Sequence, residues 1–520
     1  MPTPDIGHRI ELFESYLTRH PRLRLRISCP SQEFSELEMA QGVGRWFSCV
    51  RGLWESLDVG SRPDLALLMF QAPAVPRSVE RYVLGLVPPG GAGPGDRLAR
   101  HALLAVDDDS DRHLSEKLLE RPDLLRRVRA LVTRARERGQ VVEPLSCYQA
   151  SARMDELADR LGLDCRETPT RTLELGSKAG SRQLFRAAGL AHAPGTYTAA
   201  FELPALARQM ADLTRAHGPG RWLLKINEGY GSGHGLAVVT ATEPTHAAAL
   251  TALRQLRPLT GSISRAQFLA GLSANGAIIE QYLGTPPGGE KRSPSALLFI
   301  GPGADGEPGV QLLGTHDQVL GEDLQYLGCR FPASVRYRET VTAMSLAAAG
   351  RLARAGVRGH VGVDFLARGD GGGRWDVRAV ELNLRQTGTT HPHRTVRALV
   401  PGTWHDDGRL THRGAEVHYT GTDGLISPAY RGLTPADVIR ALDGRPDVAF
   451  DHTSARGVIP HFWTALEPFG KLGATVLGDS PDDCALLRHR FVELLDDLAA
   501  RAAEAAPRRR ERQDATTPGH

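Results

Sequence analysis

The chain has 520 residues, 41% hydrophobic and 24% charged, which suits about three globular domains and excludes a disordered or fibrous protein. Its 63 basic and 60 acidic residues leave a formal charge of only +3, so no whole-protein field points to nucleic acid or an anionic membrane. Lysine is confined to Lys117, Lys178, Lys225, Lys291 and Lys471, arginine supplying the other 58 basic groups; against that bias each lysine is a position to question. Six scattered cysteines without C-x-x-C spacing, no signal segment and no long apolar run imply a cytoplasmic protein.

In the first 165 residues short apolar runs alternate with helical stretches, as in an open α/β domain. Leu65 to Phe70 reads as a buried strand, and so does Tyr82 to Val87. Ser115 to Gly139 reads as one or two helices broken near Pro122. From 166 to 400 the pattern changes to a helix after Ser177, hairpin-like strands separated by Gly-rich turns, and a strand pair ending near 384. A further α/β portion is expected over 401–505, its last helix starting at Ser480-Pro481 with Leu486, Leu487, Phe491, Leu494, Leu495 and Leu498 on its apolar face. The Arg-rich end, 506–520, has nothing to anchor it and reads as a disordered tail.

Three Gly-rich segments compete as phosphate loops. Gly301-Pro302-Gly303-Ala304-Asp305-Gly306 has dinucleotide spacing, but Glu307-Pro308-Gly309 follows where a helix must begin, so it is read as a hairpin turn. Phe469-Gly470-Lys471-Leu472-Gly473 lacks the hydroxyl that a Walker loop needs after its lysine. The third segment, Gly229-Tyr230-Gly231-Ser232-Gly233-His234-Gly235, lies between the strands Trp222 to Ile226 and Leu236 to Val239, with Lys225 at its base. A hairpin tip so stripped of side chains lets backbone N–H groups approach a triphosphate and close over it.

Downstream, Gly359 to Leu366 and Val377 to Asn383 read as a hairpin in which Asp364 comes near Glu381 and Asn383. Glu381 and Asn383 share a face through their i, i+2 spacing. Two carboxylates and an amide oxygen are hard ligands suited to Mg²⁺, and the next residue on that face, Arg385, is suited to charge on a transferred phosphoryl group.

In this order and spacing the sequence resembles the ATP-grasp superfamily, whose members activate carboxylates as acyl phosphates, over about residues 170 to 400. The resemblance implies an α/β (α+β grasp) architecture: an N-terminal pre-grasp domain (1–165), the ATP-grasp module (166–400) and the C-terminal portion (401–505). It implies that Lys178 and Lys225 bind the phosphates, that Gly229, Gly231, Ser232, Gly233 and Gly235 form the lid, and that Glu280 and the backbone through Leu283 meet the adenine. Glu290 is the candidate for the ribose, at a shifted spacing. Asp364, Glu381 and Asn383 become magnesium ligands, with Arg385, Lys178 and Asn383 acting in catalysis. ATP and Mg²⁺ are implied, as two ions, with Mn²⁺ as a substitute.

A finer resemblance, through Thr315-His316-Asp317-Gln318, Glu381 to Pro392 and Gly470 to Gly478, is to pheganomycin-type peptide ligases. It implies joining a small amino acid's carboxylate, proteinogenic or not, to the amine of an amino acid or peptide in antibiotic-type secondary metabolism. Expected partners are a small-molecule or peptide carboxylate donor and an amine acceptor, without nucleic acid or membrane, a homo-oligomer being allowed. Asp317, His391 and His393 are candidates for steering substrate. Two alternatives stay open: an inactive ATP-binding regulator on the same fold, and a bicarbonate-phosphorylating carboxylase, since Glu-x-Asn-x-Arg also resembles biotin carboxylases.

Overall fold

The computed structural model describes residues 6–33, 39, 51–87, 94–228, 235–303, 307–322 and 324–514. A four-stranded parallel sheet opens the chain, in the order His101–Ala105, Leu65–Gln71, Arg24–Cys29, Ser146–Cys147. Its central strand is buried at every position because both faces are covered, which is why the run lacks polar alternation. Ala66, Leu68 and Phe70 pack with Phe13, Val128 and Leu131 on one side. Leu67 and Met69 face the other way, into a core shared with Tyr419, Val476 and Phe491 from far along the chain.

The expected strand at Tyr82 to Val87 is instead the end of a helix, Arg77–Gly85. Val79, Val83 and Leu84 fall on its buried face while Arg81 and Gly85 are exposed, so the apolar run was one side of a helix read along its length. The charged stretch forms two helices, Leu114–Leu119 and Pro122–Glu137, with Pro122 at the N-terminus of the second. Lys117, of a residue type seldom buried, is buried: its ammonium donates to the carbonyls of Asp108 and Ser110 at 2.9 and 2.7 Å.

The main sheet has eight strands, antiparallel throughout, in the order Trp375–Asn383, Gly359–Gly369, Glu290–Pro302, Pro308–Leu320, Tyr326–Phe331, His418–Ile426, Lys471–Gly478, Gly457–His461. The segment 301–309 is the expected hairpin turn, with Pro302 opposite Pro308 and residues 304–306 outside the described set. The long helix Val335–Arg354 lays Tyr337, Val341, Ala348 and Leu352 across one face, against Leu298, Val361 and Val363. Strands from beyond residue 401 extend this sheet instead of building a large one of their own. A smaller antiparallel sheet, in the order Leu236–Ala241, Gly220–Ile226, Ala277–Gln281, carries Lys225 and Glu280.

The last helix begins as expected, Ser480 Oγ accepting from the Asp483 N–H, but it continues to Asp514, beyond the predicted start of the tail. The stretch past 500 is rich in Ala, Arg and Glu, good helix formers that need no buried face to favour the conformation. Earlier in the helix Leu487, Phe491 and Leu495 are buried, whereas Leu486 points outward.

Candidate active site

Lys178 opens the helix Lys178–Ala187, whose first turn is fixed by Ser177 Oγ accepting from the Gly180 N–H at 3.0 Å. Two further bonds attach this turn to the end of the Lys225 strand: the Lys178 N–H donates to the Asn227 carbonyl at 3.0 Å, and the Ala179 N–H to Asn227 Oδ1 at 2.9 Å. The Leu382 N–H donates to Ser181 Oγ at 3.1 Å, which ties the same helix to the acidic strand. Three elements distant in sequence are thus joined at one helix start. Asn227 and Ser181 were not anticipated, because nothing in their local sequence separates them from ordinary polar residues.

At this junction Lys178 Nζ lies 2.5 Å from Glu381 Oε1. Asp364 stands opposite Glu381 in the hairpin, and Gly362 opposite Asn383, with a bulge after Asp364. Asn383 Nδ2 donates to Asp364 Oδ2 at 2.9 Å and Gln318 Nε2 to Oδ1 at 2.6 Å. Burial, together with the neighbouring Glu381 charge, raises the Asp364 carboxyl to about 6. Burial also pushes the Glu381 carboxyl up, but Lys178, Lys225 and Arg385 outweigh it and hold the group below its ordinary range. One carboxylate therefore feels three of the predicted cations at once. Arg385 donates to the Gln386 carbonyl at 3.2 Å, and Gln386 in turn ties this turn to the N-terminal domain through the Tyr148 and Cys147 carbonyls.

Lys225 is buried, its ammonium 2.7 Å from Glu280 Oε2, while Arg182 Nη1 lies 3.1 Å from Glu280 Oε1. Lys225 pairs with Ile278 and Leu223 with Glu280, which puts the ammonium and the carboxylate two residues apart on one face. Arg182 also donates to the Thr196 and Ala193 carbonyls, so it clamps the 193–196 segment against the Glu280 strand. Gly195 is required there, since a Cβ would lie 2.2 Å from the Ile279 carbonyl oxygen. Arg182 escaped sequence reasoning because one arginine among 58 carries no signal.

Of the predicted lid only Gly235 is described, its carbonyl accepting from the Ile226 N–H at 2.9 Å; Gly229, Gly231, Ser232 and Gly233 lie outside the described residues. Leu283 follows the Glu280 strand and is half-buried. The Glu290 carboxylate is engaged by Arg292 at 2.8 Å and Arg336 at 2.9 Å.

No protein-family profile matches the sequence. Over 400 residues, 74% of this chain and 76% of the other, it is 30% identical to the L-propargylglycine–L-glutamate ligase of Streptantibioticus cattleyicolor. The chain belongs to the ATP-grasp carboxylate–amine ligases. Among solved structures, N5-carboxyaminoimidazole ribonucleotide synthetase in its ADP complex aligns with a TM-score of 0.49 at 11% identity, covering 92% of this chain and 98% of that one. Biotin carboxylase from Campylobacter jejuni aligns at 0.45 and 12% identity, covering 77% and 75%.

In this ligase the three steering candidates part company. Asp317 accepts from the Tyr337 hydroxyl and the Ser334 N–H, and buried His393 bonds through Nε2 to the Leu313 carbonyl; both are engaged in holding the fold. His391 instead meets Asp423 and His461, two residues the sequence did not single out. No helix among the described residues is long and apolar enough to cross a membrane.

Proposed function

We propose that the ligase phosphorylates the carboxylate of a small amino acid, proteinogenic or not, with ATP and joins the acyl group to the amine of an amino acid or peptide in secondary metabolism. The name of the relative, a ligase of L-propargylglycine and L-glutamate, supports this class. The donor's carboxylate oxygen attacks the γ-phosphorus, the γ-phosphorus–oxygen bond to ADP breaks, and an acyl phosphate forms. The neutral amine then adds to the carbonyl carbon, phosphate departs, and the amine's proton goes to solvent. A free carboxylate has no comparable leaving group, so phosphorylation supplies one.

The chain's task in such a transfer is positioning and charge neutralisation. Lys178 and Lys225 hold the phosphates, Arg385 faces the transferred group, and the Glu280 strand through Leu283 receives the adenine. Gly229, Gly231, Ser232, Gly233 and Gly235 are kept as the lid candidates, and Glu290 as the ribose candidate. Asp364, Glu381 and Asn383 fit Mg²⁺, being hard oxygen donors, and Asp364 and Glu381 face each other across the hairpin as two carboxylates that a divalent ion would bridge in charge. When bound there, as two ions or with Mn²⁺ in place of Mg²⁺, the metal supplies neutralisation of the phosphate oxygens.

The observation that carries this reading is the convergence of Lys178, Lys225 and Arg385 on the Glu381 carboxylate. It is tested by supplying a library of acids and amines with Mg-ATP, identifying the product by mass spectrometry, and repeating the reaction with oxygen-18 in the donor carboxylate. Labelled phosphate is expected; product formed with unlabelled phosphate overturns the acyl phosphate.

A further inference from the structure

Away from the Asp364–Glu381 pair, three side chains with no part in the chemistry above converge between the N-terminal domain and the far end of the main sheet. His391 lies in the first turn of the helix Thr390–Leu399, Asp423 on the strand His418–Ile426, and His461 ends the strand Gly457–His461. Their facing atoms are close in every pairing. His391 Nε2 is 3.2 Å from His461 Nε2 and 3.4 Å from Asp423 Oδ1, and His461 Nε2 is 3.1 Å from the same Oδ1.

Hydrogen bonding alone serves this triangle poorly. If both rings donate to Oδ1, their two Nε2–H groups face each other; if one ring accepts from the other, it has no Nε2 proton left for the carboxylate. A cation among the three removes the conflict. Donors of a tetrahedral site with bonds of about 2.0–2.1 Å stand about 3.3 Å apart, and the three separations observed, 3.1, 3.2 and 3.4 Å, bracket that edge.

We propose that His391, Asp423 and His461 form a Zn²⁺ site, distinct from the magnesium and nucleotide positions. Arg51 donates to Asp423 Oδ2 at 2.8 Å, which anchors the outer oxygen and leaves Oδ1 for the ion, as partners of ligating carboxylates do. Gly473 makes room for the ring: a Cβ there would lie 2.3 Å from His461 Nε2. A cavity of about 30 Å³, lined in part by Arg51, Trp54, His391 and His461, has space for one water as fourth ligand. The donor set selects the metal. Two imidazoles and one carboxylate, with Arg51 and Lys471 both acting on the Asp423 charge, disfavour a hard ion such as Mg²⁺ and suit zinc, which bonds well to imidazole nitrogen. The ion ties the helix that follows the Arg385 turn to two strands of the main sheet, so its role is to position that turn.

The test uses the full chain, freed of metal by a chelator and titrated with Zn²⁺ alone, without nucleotide, with metal content measured after gel filtration. One equivalent is expected in the wild type and in Glu381→Gln. In His461→Gln the affinity should fall by more than about 100-fold, since outer contacts of such sites alone change it 10–100-fold. Absence of a bound equivalent in the wild type overturns the proposal, as does zinc retained by His461→Gln and lost by Glu381→Gln. Should His461→Gln fail to fold, the Co²⁺ form of the wild type decides: intense visible bands of a tetrahedral ion support the site, and weak octahedral bands refute it.

Discussion

Replacing Lys225 by methionine keeps the buried stem and removes only the ammonium that lies 2.7 Å from Glu280. The carboxylate is still paired with Arg182 at 3.1 Å, so the fold loses about one charged hydrogen bond, about 1.5–3 kcal/mol. Glu280→Gln is the harsher change for stability, because it strips the counter-charge from two buried cations together; breaking buried pairs in this way costs about 3–5 kcal/mol. For activity the order reverses. The glutamine variant retains both cations and the backbone assigned to adenine, whereas Lys225→Met removes a preorganised charge from the phosphates, which is worth about 10²–10³ in kcat. Thermal melts with and without Mg-ATP, combined with steady-state ADP release, read both quantities on the same preparations. The reasoning is refuted if Lys225→Met turns over at the wild-type rate, or if Glu280→Gln melts no lower than Lys225→Met.

Other outcomes follow from the same structure. Arg385→Lys keeps the charge and loses the planar fork, so kcat should fall by about 10² while Mg-ATP affinity, measured by calorimetry, stays near wild type; weaker affinity with kcat unchanged would show that Arg385 serves binding alone. In Gly180→Ala the new methyl would sit 2.2 Å from the Glu174 carbonyl oxygen. The first turn carrying Lys178 must then shift, with a stability loss of about 1–3 kcal/mol and weaker ATP binding; unchanged affinity would show that this turn does not set the lysine. Glu143 binds Arg24, Arg26 and Arg62, and although burial opposes it, these cations depress its carboxyl from 4.5 to about 2. With the folded value below the unfolded one, its stabilisation is complete above about pH 4.5 and is lost as the pH falls toward 2. Discounted for solvent screening, it amounts to roughly 2 kcal/mol. Denaturant titrations of Glu143→Gln should therefore show lower stability at pH 7 and a shallower loss on acidification than the wild type; parallel curves would contradict the assignment.

The parts of the site legible in the sequence are those that local rules place. Asp364 and Glu381 sit on two strands of one hairpin, so their nearness could be read from the residues, whereas the bulge after Asp364 that sets Glu381 directly opposite it left no mark there. Ser177 and Ser480 announce helix starts because a cap needs only its own next turn. The failures were of a different kind. Tyr82 to Val87 is apolar enough for a strand, and only the neighbours that bury Val83 and Leu84 make it a helix face. Lys117 carries no local mark of burial, since the two carbonyls that enclose its ammonium come from the fold of the preceding loop.

The sequence by itself determined the acidic hairpin, the two lysines retained against an arginine-rich background, and with them the family. Tertiary structure decided what holds these groups. Arg182 and Asn227 gather segments separated along the chain, the strands beyond residue 401 complete the main sheet, and Arg51 reaches Asp423 across 372 positions. The physical reason is one of range. Caps, turns and strand alternation act within a few residues and leave a pattern in the sequence, whereas a buried ion pair or a three-sided ligand set forms only when distant segments pack. In a chain with 58 arginines and 19 histidines, no residue type marks in advance which few will meet.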